Sequence, residues 1–296
     1  MIDLHIHTTS SDGSDEPEVI LRKAEHFGLS YISITDHDSL GAYKKLNRNI
    51  IRSFRGKIIP GCEFSVVHNK MPIEVLGYGI DFEMIHASGL VSEERFLERE
   101  NQYISKMKEI CKNLNLKLTE SLSIKSGKAF ATQVIHADLK KYPENEKHFT
   151  TEIWSSVNAF YRTCINNEDS PFFLNQTKEY PTVEEISGLI KKAGGKSFLA
   201  HLYGYYTKDH DEFLDSLVSL NALDGIECYH SLHDMNKTEY LLSYCKDHGI
   251  FASGGSDYHG ALKPSVFIGE SIKGVKIPLK ILEPWLDFFR NRHQFV

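Results

Sequence analysis

The first eight residues, Met1-Ile2-Asp3-Leu4-His5-Ile6-His7-Thr8, alternate between apolar and polar side chains. A period of two is typical of a β-strand, and it places His5 and His7 together on one strand face and the isoleucines and leucine on the other. Two imidazoles on one face can hold one metal ion, although an isolated pair of this kind is equally compatible with a structural role. Further ligand-type side chains at other strand ends would favour the metal site.

Such side chains occur along the whole chain. Tyr31-Ile32-Ser33-Ile34 opens into a histidine, Ile58-Ile59 leads through Pro60-Gly61 to a glutamate, and two later β-rich runs end in the same way. The side chains at these ends are His37, Glu63, His201, Asp257 and His259, and Asp12 lies on the tight Ser11-Asp12-Gly13 loop. In a closed parallel barrel all strand C-termini emerge at one face, where such enzymes place their chemistry. The sequence therefore predicts one polymetal hydrolytic site at one end of a barrel.

Strands and helices alternate in both end regions of the chain. Helices are predicted from Pro17 to about residue 27, from the capping box at Thr182 to Gly194, and from about Asp234 to His248. The predicted strands are 2–7, 31–35, 57–59, 73–78, 197–200, 225–229 and 250–253. This alternation indicates an α/β fold with a parallel sheet.

Residues 86–181 interrupt that alternation. Ser92 to Leu114 is charged and has helical periodicity, whereas residues 119–180 show no clear strand pattern. We expect residues 1–85 and 182–296 to form the barrel and residues 86–181 to be a helical insertion that covers the site as a lid subdomain.

Composition narrows the class of protein. A formal net charge of −6 provides no basic face for duplex DNA. Five cysteines without a CxxC pair argue against a disulfide framework, and Cys62 and Cys228 are better explained as buried core residues than as ligands. With no apolar leader and no apolar run near 18 residues, we expect a cytoplasmic protein that does not enter membranes.

Taken in order, the motifs DLHIHT with SDG, ITDHD, PGCEFS, AGGKSFLAH, DGIECYH and SGGSDYHG resemble the PHP (polymerase and histidinol phosphatase) superfamily of metal-dependent phosphoesterases. They cover residues 1–80 and 182–270, about two thirds of the chain, and are most similar to the free-standing bacterial nucleotide phosphatase/exonuclease subgroup. The resemblance implies an irregular (β/α)7 TIM-like barrel with a helical insertion that contributes to substrate recognition.

The resemblance also implies how ligands are shared among two or three divalent ions. The first ion would be held by His5, His7, Glu63 and Asp257, the second by Glu63, His201 and the position of Glu74, and the third by Asp12, His37 and His259. Asp36 and Asp38 would orient the ligands of the third ion. Imidazole and carboxylate ligands without thiolates suit Mn, Fe or Zn.

Glu74 is the position at which the chain departs from the family. The related segment reads like IHILGYGID, whereas this chain has Glu74 in place of the histidine. Strand alternation allows its carboxylate to reach the position of the imidazole, and anionic oxygen should shift preference from Zn²⁺ toward Mn²⁺ or Mg²⁺. The alternative is that Glu74 faces solvent or a nearby lysine.

Substrate contacts are predicted at two positions. Lys128 in the insertion is a candidate phosphate contact, and His230 at a strand end could hydrogen-bond a phosphate or merely support a neighbouring ligand. Lys44, Arg48, Arg52 and Arg55 are spaced as one helical stripe that could guide a nucleic acid 5′ end, although a solvated helix face is the simpler interpretation.

The predicted function is a metal-dependent phosphoesterase acting on a small phosphorylated substrate through a metal-bound hydroxide, without a protein nucleophile. The leading substrates are nucleoside monophosphates, 3′,5′-bisphosphonucleotides and short single-stranded RNA 5′ ends. The alternatives are a histidinol-phosphate phosphatase and, with less support, a non-catalytic metal-binding domain.

Overall fold

In the part of the chain that the structure describes, eight β-strands in two sheets form the centre of the fold. The computed structural model describes residues 1–126, 129–175 and 178–290. The strands are β1 (Ile2–Ile6), β2 (Tyr31–Ile34), β3 (Lys57–Ile58), β4 (Gly61–His68), β5 (Met71–Tyr78), β6 (Lys196–Leu199), β7 (Gly225–Tyr229) and β8 (Phe251–Gly254). The α/β class predicted from the sequence is confirmed.

The two sheets are ordered β1-β2-β3 and β4-β5-β6-β7-β8. Pairing is parallel except for β4 with β5 and β5 with β6, which are antiparallel. Single bridges connect the sheets where Ile6 pairs with Tyr258 and His37 pairs with Glu63. The predictions of seven strands and of a parallel sheet were therefore wrong, whereas closure into a barrel stays a prediction.

The missed strand is β4, and it explains both errors. Asn69 and Lys70 have φ of +47° and +67°, the left-handed conformation needed at both central positions of a tight hairpin turn, so β4 folds back directly onto β5. Gly61 begins β4 close to β2, where a Cβ would lie 2.2 Å from Ser33 Oγ. Glu63 is consequently the third residue of a strand, not a residue that follows one.

The helices follow the local signals in the sequence. Thr182 and Glu185 form the predicted capping box, Asp234 caps the helix that ends at Gly249, and Gly249 has a left-handed φ of +65°. The α-helices are α1 (Pro17–His26), α2 (Gly41–Lys45), α3 (Arg48–Arg52), α4 (Phe82–Ala87), α5 (Glu93–Asn113), α6 (Ala131–Leu139), α7 (Thr151–Ser155), α8 (Val157–Phe160), α9 (Val183–Lys192), α10 (His210–Val218), α11 (Met235–His248) and α12 (Glu283–Arg290). No helix in the described part of the chain is both long and apolar enough to cross a membrane.

The basic stripe expected on one helix is divided between two. Asn47 lies between α2 and α3, where its side chain caps α3 by accepting from the backbone amides of Asn49 and Ile50. Arg55 lies beyond α3 and pairs with Glu25. The four basic side chains therefore do not form one continuous helical face.

Buried apolar side chains form three clusters. One surrounds β4–β8, one lies between β1–β3 and α1, and the third lies within residues 103–172. The third cluster joins α5, α6 and α8 through side chains such as Met107, Ile135 and Phe160. This cluster lies within the segment for which a helical insertion was predicted, and the division of the chain into a barrel and a subdomain of residues 86–181 stays a prediction.

Candidate metal centre

The nine predicted ligand side chains converge at the edge where the two sheets meet. His5 and His7 point the same way from β1 and are fully buried, as the alternation of that strand requires. The others come from β4, β5 and the loops after β1, β2, β6 and β8. Together with His230, which was predicted as a substrate contact, their ligand atoms form four overlapping groups that are close enough to hold ions: His7, Asp12, His37 and His259; His5, His230 and Asp257; His5, Glu63 and His201; and His37, Glu63 and Glu74.

The tightest set is that predicted for the first ion. His5 Nε2 lies 3.1 Å from both His7 Nε2 and Glu63 Oε2, and His7 Nε2 lies 3.2 Å from that same oxygen. Asp257 Oδ1 is 3.7 Å from His5 Nε2 and 3.4 Å from His7 Nε2. Ligands about 2.1 Å from a tetrahedral ion are about 3.4 Å apart, so this spacing fits a metal.

Glu63 connects the first set to the second. Its Oε2 faces the β1 histidines, whereas its Oε1 lies 3.1 Å from His201 Nε2. Glu74 Oε2 is also 3.1 Å from His201 Nε2, and Glu74 Oε1 is 3.5 Å from His37 Nδ1. Glu74 thus faces the imidazoles, and no lysine among the described residues pairs with it.

The third set surrounds Asp12. Its Oδ1 is 3.2 Å from His259 Nε2, 3.8 Å from His37 Nε2 and 3.5 Å from His7 Nδ1. His7 therefore faces two sets with its two ring nitrogens. Nε2 faces the atoms of the first set, and Nδ1, which makes no hydrogen bond with the described residues, faces Asp12.

Two buried atoms at the centre that make no hydrogen bond also fit metal ions. Glu63 Oε2 and His37 Nδ1 lie 3.2 Å apart, yet neither makes a hydrogen bond with the described residues. Buried polar atoms normally form hydrogen bonds. Since the atoms nearest to these two belong to other candidate ligands, a shared metal ion would satisfy them. The donor set is imidazole and carboxylate, because the buried Cys62 thiol points to the Asp36 carbonyl oxygen, and burial raises the pKa of that thiol.

Charge at the centre is strongly coupled. Burial alone would lower the pKa of His7 and His201, but neighbouring carboxylates raise these values to about 9 and about 10. Burial alone would raise the pKa of Glu63, but His5 and His37 hold it well below its usual range. In the absence of metal ions, the positive charge of protonated imidazoles balances the negative charge of the carboxylates. Divalent cations can replace those protons.

Asp36 and Asp38 have different surroundings. Asp36 accepts hydrogen bonds from the Thr8 amide, the Thr8 hydroxyl and the Ser11 hydroxyl at 2.6–2.7 Å, so it fixes the loop that carries Asp12. Asp38 accepts from the Ser65 amide at 3.0 Å and from an arginine of the insertion. Asp36 thereby supports a predicted ligand of the third ion, whereas Asp38 connects the ligand loop to neighbouring segments.

Two side chains outside the predicted set contact candidate ligands. Glu227 Oε1 lies 2.9 Å from His5 Nδ1, and its Oε2 accepts from the His201 amide at 2.8 Å. Lys263 Nζ donates to Asp257 Oδ2 at 2.5 Å. The sequence placed Glu227 on β7 without deciding its role, and Lys263 gave no signal because it approaches only through the turn at Gly260, whose φ is +67°.

His230 lies behind Asp257. Its Nδ1 accepts from the Leu232 amide at 3.0 Å, so in the neutral ring the proton is on Nε2, which is 3.3 Å from Asp257 Oδ2. Burial lowers the pKa of His230, which favours that neutral form. The ring is fully buried and supports a candidate ligand. A direct contact with substrate phosphate stays a prediction.

The insertion reaches the centre through Arg99 and Phe130. Arg99 Nη1 donates to Asp38 Oδ2 at 3.1 Å, and its guanidinium lies 4.4 Å from the centre of the Tyr180 ring. The Phe130 ring packs edge-on against His37 at a centroid distance of 4.9 Å. Lys128, the predicted phosphate contact, lies outside the described residues.

The family model for the PHP domain matches residues 3–165. This match spans more than half of the 296 residues. The chain belongs to the PHP domain family. The resemblance inferred from the motifs is confirmed.

Three curated relatives show what this PHP chain is similar to. The 5′-3′ exoribonuclease Rnm of Escherichia coli is 25% identical over 269 residues, 87% of this chain and 84% of the relative. The 3′,5′-nucleoside bisphosphate phosphatase of Chromobacterium violaceum is 26% identical over 270 residues, 87% of each. The phosphoribosyl 1,2-cyclic phosphate 1,2-diphosphodiesterase of Eggerthella lenta is 23% identical over 274 residues, 87% of this chain and 94% of the relative. These relatives confirm the prediction of the general enzyme class, a phosphoric ester hydrolase, without specifying the substrate.

Solved structures support the fold. An amidohydrolase from Chromobacterium violaceum, with bound sulfate and no metal, gives a TM-score of 0.71 at 19% identity and covers 100% of this chain and 97% of its own. A candidate metal-dependent phosphoesterase from Bifidobacterium adolescentis gives a TM-score of 0.67 at 20% identity. The match covers 97% of this chain and 96% of that structure's chain. At this identity the likeness establishes the shared α/β architecture.

Proposed function

We propose that this PHP chain is a metal-dependent phosphoesterase that hydrolyses nucleotides, with nucleoside monophosphates, 3′,5′-bisphosphonucleotides and RNA 5′ ends as the substrate class. The observation that carries the proposal is the position of Glu63. Its two carboxylate oxygens face two different sets of imidazoles, at 3.1–3.2 Å. A carboxylate so placed would contribute one oxygen to each of two sets of metal donors, and paired divalent ions supply the charge stabilisation used in phosphoryl hydrolysis.

Divalent ions held by these donors would activate water and neutralise the charge on phosphoryl oxygens. The chain's own residues hold the donors in place. Glu227 accepts the Nδ1 proton of His5 and so leaves Nε2 free to coordinate, and Lys263 and His230 hold the outer oxygen of Asp257 while the inner oxygen faces the β1 histidines. The Phe130 ring packs edge-on against His37 and helps to hold that imidazole in place.

Two features support nucleotides as the substrate class. The relatives from E. coli and C. violaceum are named for action on RNA 5′ ends and on nucleoside bisphosphates, and both align over 87% of this chain. Because the net charge is −6, the protein as a whole does not attract an anionic substrate. Bound cations and a few local basic side chains would have to attract the phosphate. Histidinol phosphate remains the competing substrate because it would use the same metal donors.

A substrate panel tests this proposal. Protein loaded with Mn²⁺ is assayed against nucleoside monophosphates, adenosine 3′,5′-bisphosphate, 5′-phosphorylated oligonucleotides and histidinol phosphate, with Asp257→Asn as the matched inactive control. We expect a nucleotide to have the highest kcat/KM and activity to disappear on chelation. A tenfold preference for histidinol phosphate, about 1.4 kcal/mol in transition-state binding, would replace the proposal with the alternative.

A further inference from the structure

Lys263 borders the candidate metal donors beside Asp257. Its Nζ donates to Asp257 Oδ2 at 2.5 Å, while Oδ1 of the same carboxylate lies 3.4 Å from His7 Nε2. The ammonium is therefore separated from the predicted first ion by one carboxylate group. The Lys263 side chain is 35% exposed, so a molecule that enters the centre from solvent can reach it.

The Lys263 ammonium has unused hydrogen-bond donors. A lysine carries three N–H groups and no acceptor. The bond to Asp257 is the hydrogen bond that Nζ makes with the described residues. His230 Nε2 lies 3.3 Å from the same carboxylate oxygen, so that oxygen keeps a polar neighbour if the ammonium also binds a ligand. Two N–H groups thus remain for an anion.

The surroundings keep Lys263 positively charged. Burial alone would lower the pKa of Lys263, but the carboxylates of Asp257 and Asp12 raise it. Asp257 belongs to the first set of donors and Asp12 to the third, so the ammonium lies near the charges of both sets. Divalent ions held by these carboxylates would offset their negative charge. The ammonium would then add to the positive field that attracts a phosphoryl group.

The backbone that carries Lys263 is anchored beside the loop of Asp12. Gly260 has a φ of +67°, and a Cβ there would lie 2.1 Å from Ser14 Oγ, so a glycine allows this close approach. Ser14 Oγ accepts from the Ala261 amide at 2.8 Å, and the Lys263 amide donates to the Gly260 carbonyl oxygen at 3.2 Å. The ammonium is thus attached to a fixed turn, as expected of a charge that is in place before substrate binds.

Arg99 is the basic side chain with which Lys263 has to be compared. The Arg99 guanidinium pairs with both Asp38 and Glu100, at 3.1 Å each, and the side chain is only 9% exposed. Lys263 pairs with one carboxylate and is more accessible. Of these two cations, Lys263 is the one available to a substrate.

We propose that Lys263 is a catalytic residue whose ammonium donates to a non-bridging oxygen of the phosphoryl group that is hydrolysed. The inference rests on the proposed phosphoesterase activity and deepens it, and it applies to nucleotides and histidinol phosphate alike. A lysine binds phosphate as a point charge, and such a charge stabilises the transferring phosphoryl group. Water supplies the oxygen of the new P–O bond and the proton of the leaving alcohol, whereas Lys263 keeps its own protons.

Binding of inorganic phosphate tests this contact without turnover. Phosphate is titrated by calorimetry into the Mn²⁺-loaded parent, into Lys263→Met and into the control Lys273→Met, which replaces an exposed lysine later in the chain. We expect Lys263→Met to weaken phosphate binding at least tenfold and Lys273→Met less than twofold. Unchanged phosphate binding in Lys263→Met would overturn the proposal.

Mn²⁺ affinity shows whether Lys263 acts only through Asp257. Competition with a chelating dye measures this affinity in the parent and in Lys263→Met, and we expect the two values to agree within threefold. A loss of Mn²⁺ affinity large enough to explain the whole loss of phosphate binding would make Lys263 a support for Asp257 and would overturn its contact with substrate.

Chemical rescue tests the charge itself. Lys263→Cys is alkylated with 2-bromoethylamine, which restores an ammonium on a side chain of similar length, and the five native cysteines are buried. Loss of one such donor typically costs about 100–1,000-fold, so we expect a loss of that order in kcat/KM for p-nitrophenyl phosphate and at least tenfold recovery after alkylation. Alkylated Lys273→Cys is the control for the reagent. Complete alkylation of folded protein without recovery would contradict the proposal.

The leaving group distinguishes two uses of the ammonium. If Lys263 contacts a non-bridging oxygen, Lys263→Met should reduce kcat/KM for p-nitrophenyl phosphate and phenyl phosphate by the same factor, within threefold. A loss at least tenfold greater for phenyl phosphate, whose leaving group is the more basic, would assign protonation of the leaving oxygen to Lys263 and overturn the proposed contact. If the parent hydrolyses no ester, the proposed function fails, while the phosphate titration still decides whether Lys263 binds phosphate.

Discussion

Glu74 is, at the scale of one residue, the predicted ligand whose chemistry differs from that of the related segment. The carboxylate occupies the position where a related segment has an imidazole, and its oxygens lie 3.1 Å from His201 and 3.5 Å from His37. It adds negative charge to a centre that already contains Asp12, Glu63 and Asp257. A harder, more anionic donor set favours Mn²⁺ or Mg²⁺ over Zn²⁺.

Variants at Glu74 should therefore separate metal choice from metal retention. Glu74→Ala is expected to lower occupancy at the ion shared by Glu63 and His201, with affinity falling at least tenfold. Glu74→His is expected to keep activity and increase the Zn²⁺ content. Elemental analysis after equilibration with mixed Mn²⁺ and Zn²⁺ measures both. If the two variants match the parent in metal content and rate, Glu74 is not a ligand.

Glu227 should act through His5. Glu227→Gln retains the shape of the side chain but removes the charge that holds the His5 Nδ1 proton, and loss of such a partner typically costs about 10–100-fold in metal affinity or activity. Competition titration with a chelating dye measures the affinity, and Glu212→Gln on the exposed face of α10 is the control. Unchanged affinity together with unchanged activity would show that Glu227 only fills space.

At the scale of elements, the sequence was most informative where one strand or helix carries the whole signal. The alternation in residues 1–8 predicted both β1 and the shared direction of His5 and His7. The same alternation is present in Cys62-Glu63-Phe64-Ser65-Val66, but Pro60-Gly61 made this segment resemble a loop, so β4 was missed. The asparagine and lysine of the hairpin turn were the local signal that could have identified it.

Contacts between distant elements could not be predicted. Arg99 reaches Asp38 from α5, 61 positions along the chain. Such pairs depend on how the insertion docks, and no periodicity within either segment encodes that arrangement. The nine predicted ligands could be picked out because each lies on or beside a strand, whereas the side chains that contact them became visible only in the folded chain.

The pair between Arg99 and Asp38 should anchor the insertion. Both side chains are about nine-tenths buried, and removing one partner of a buried pair typically costs about 3–5 kcal/mol. We expect Arg99→Met to lower the free energy of unfolding by about that amount and to speed amide exchange in α6, as measured by chemical denaturation and hydrogen exchange.

A control on the same helix is Arg95→Met, because Arg95 is exposed. Its effect should stay within about 0.5 kcal/mol. Similar small effects from Arg99→Met and Arg95→Met would mean that other contacts dock the insertion. In that case the double variant Asp38→Asn with Arg99→Met would also show no coupling between the two positions.

At the scale of the whole molecule, metal binding should be linked to proton release. The pKa values of His7 and His201 are raised to about 9 and about 10, so both rings are protonated at pH 7 before metal binds. Coordination requires the neutral ring, so each ion displaces protons and apparent affinity should rise from pH 7 toward pH 10. Calorimetry of Mn²⁺ binding in two buffers of different ionisation enthalpy measures the protons released. A heat that is independent of buffer would contradict this linkage.

Anomalous diffraction from crystals equilibrated with Mn²⁺ tests the polymetal centre most directly. The account predicts at least two peaks, one between His5, His7, Glu63 and Asp257 and one beside His201 and Glu74, with Glu63 bridging them. The crystals should be grown from protein whose Mn²⁺-dependent phosphoesterase activity has been measured. Fully active protein with no peak among these donors, or with metal bound elsewhere, would contradict the account.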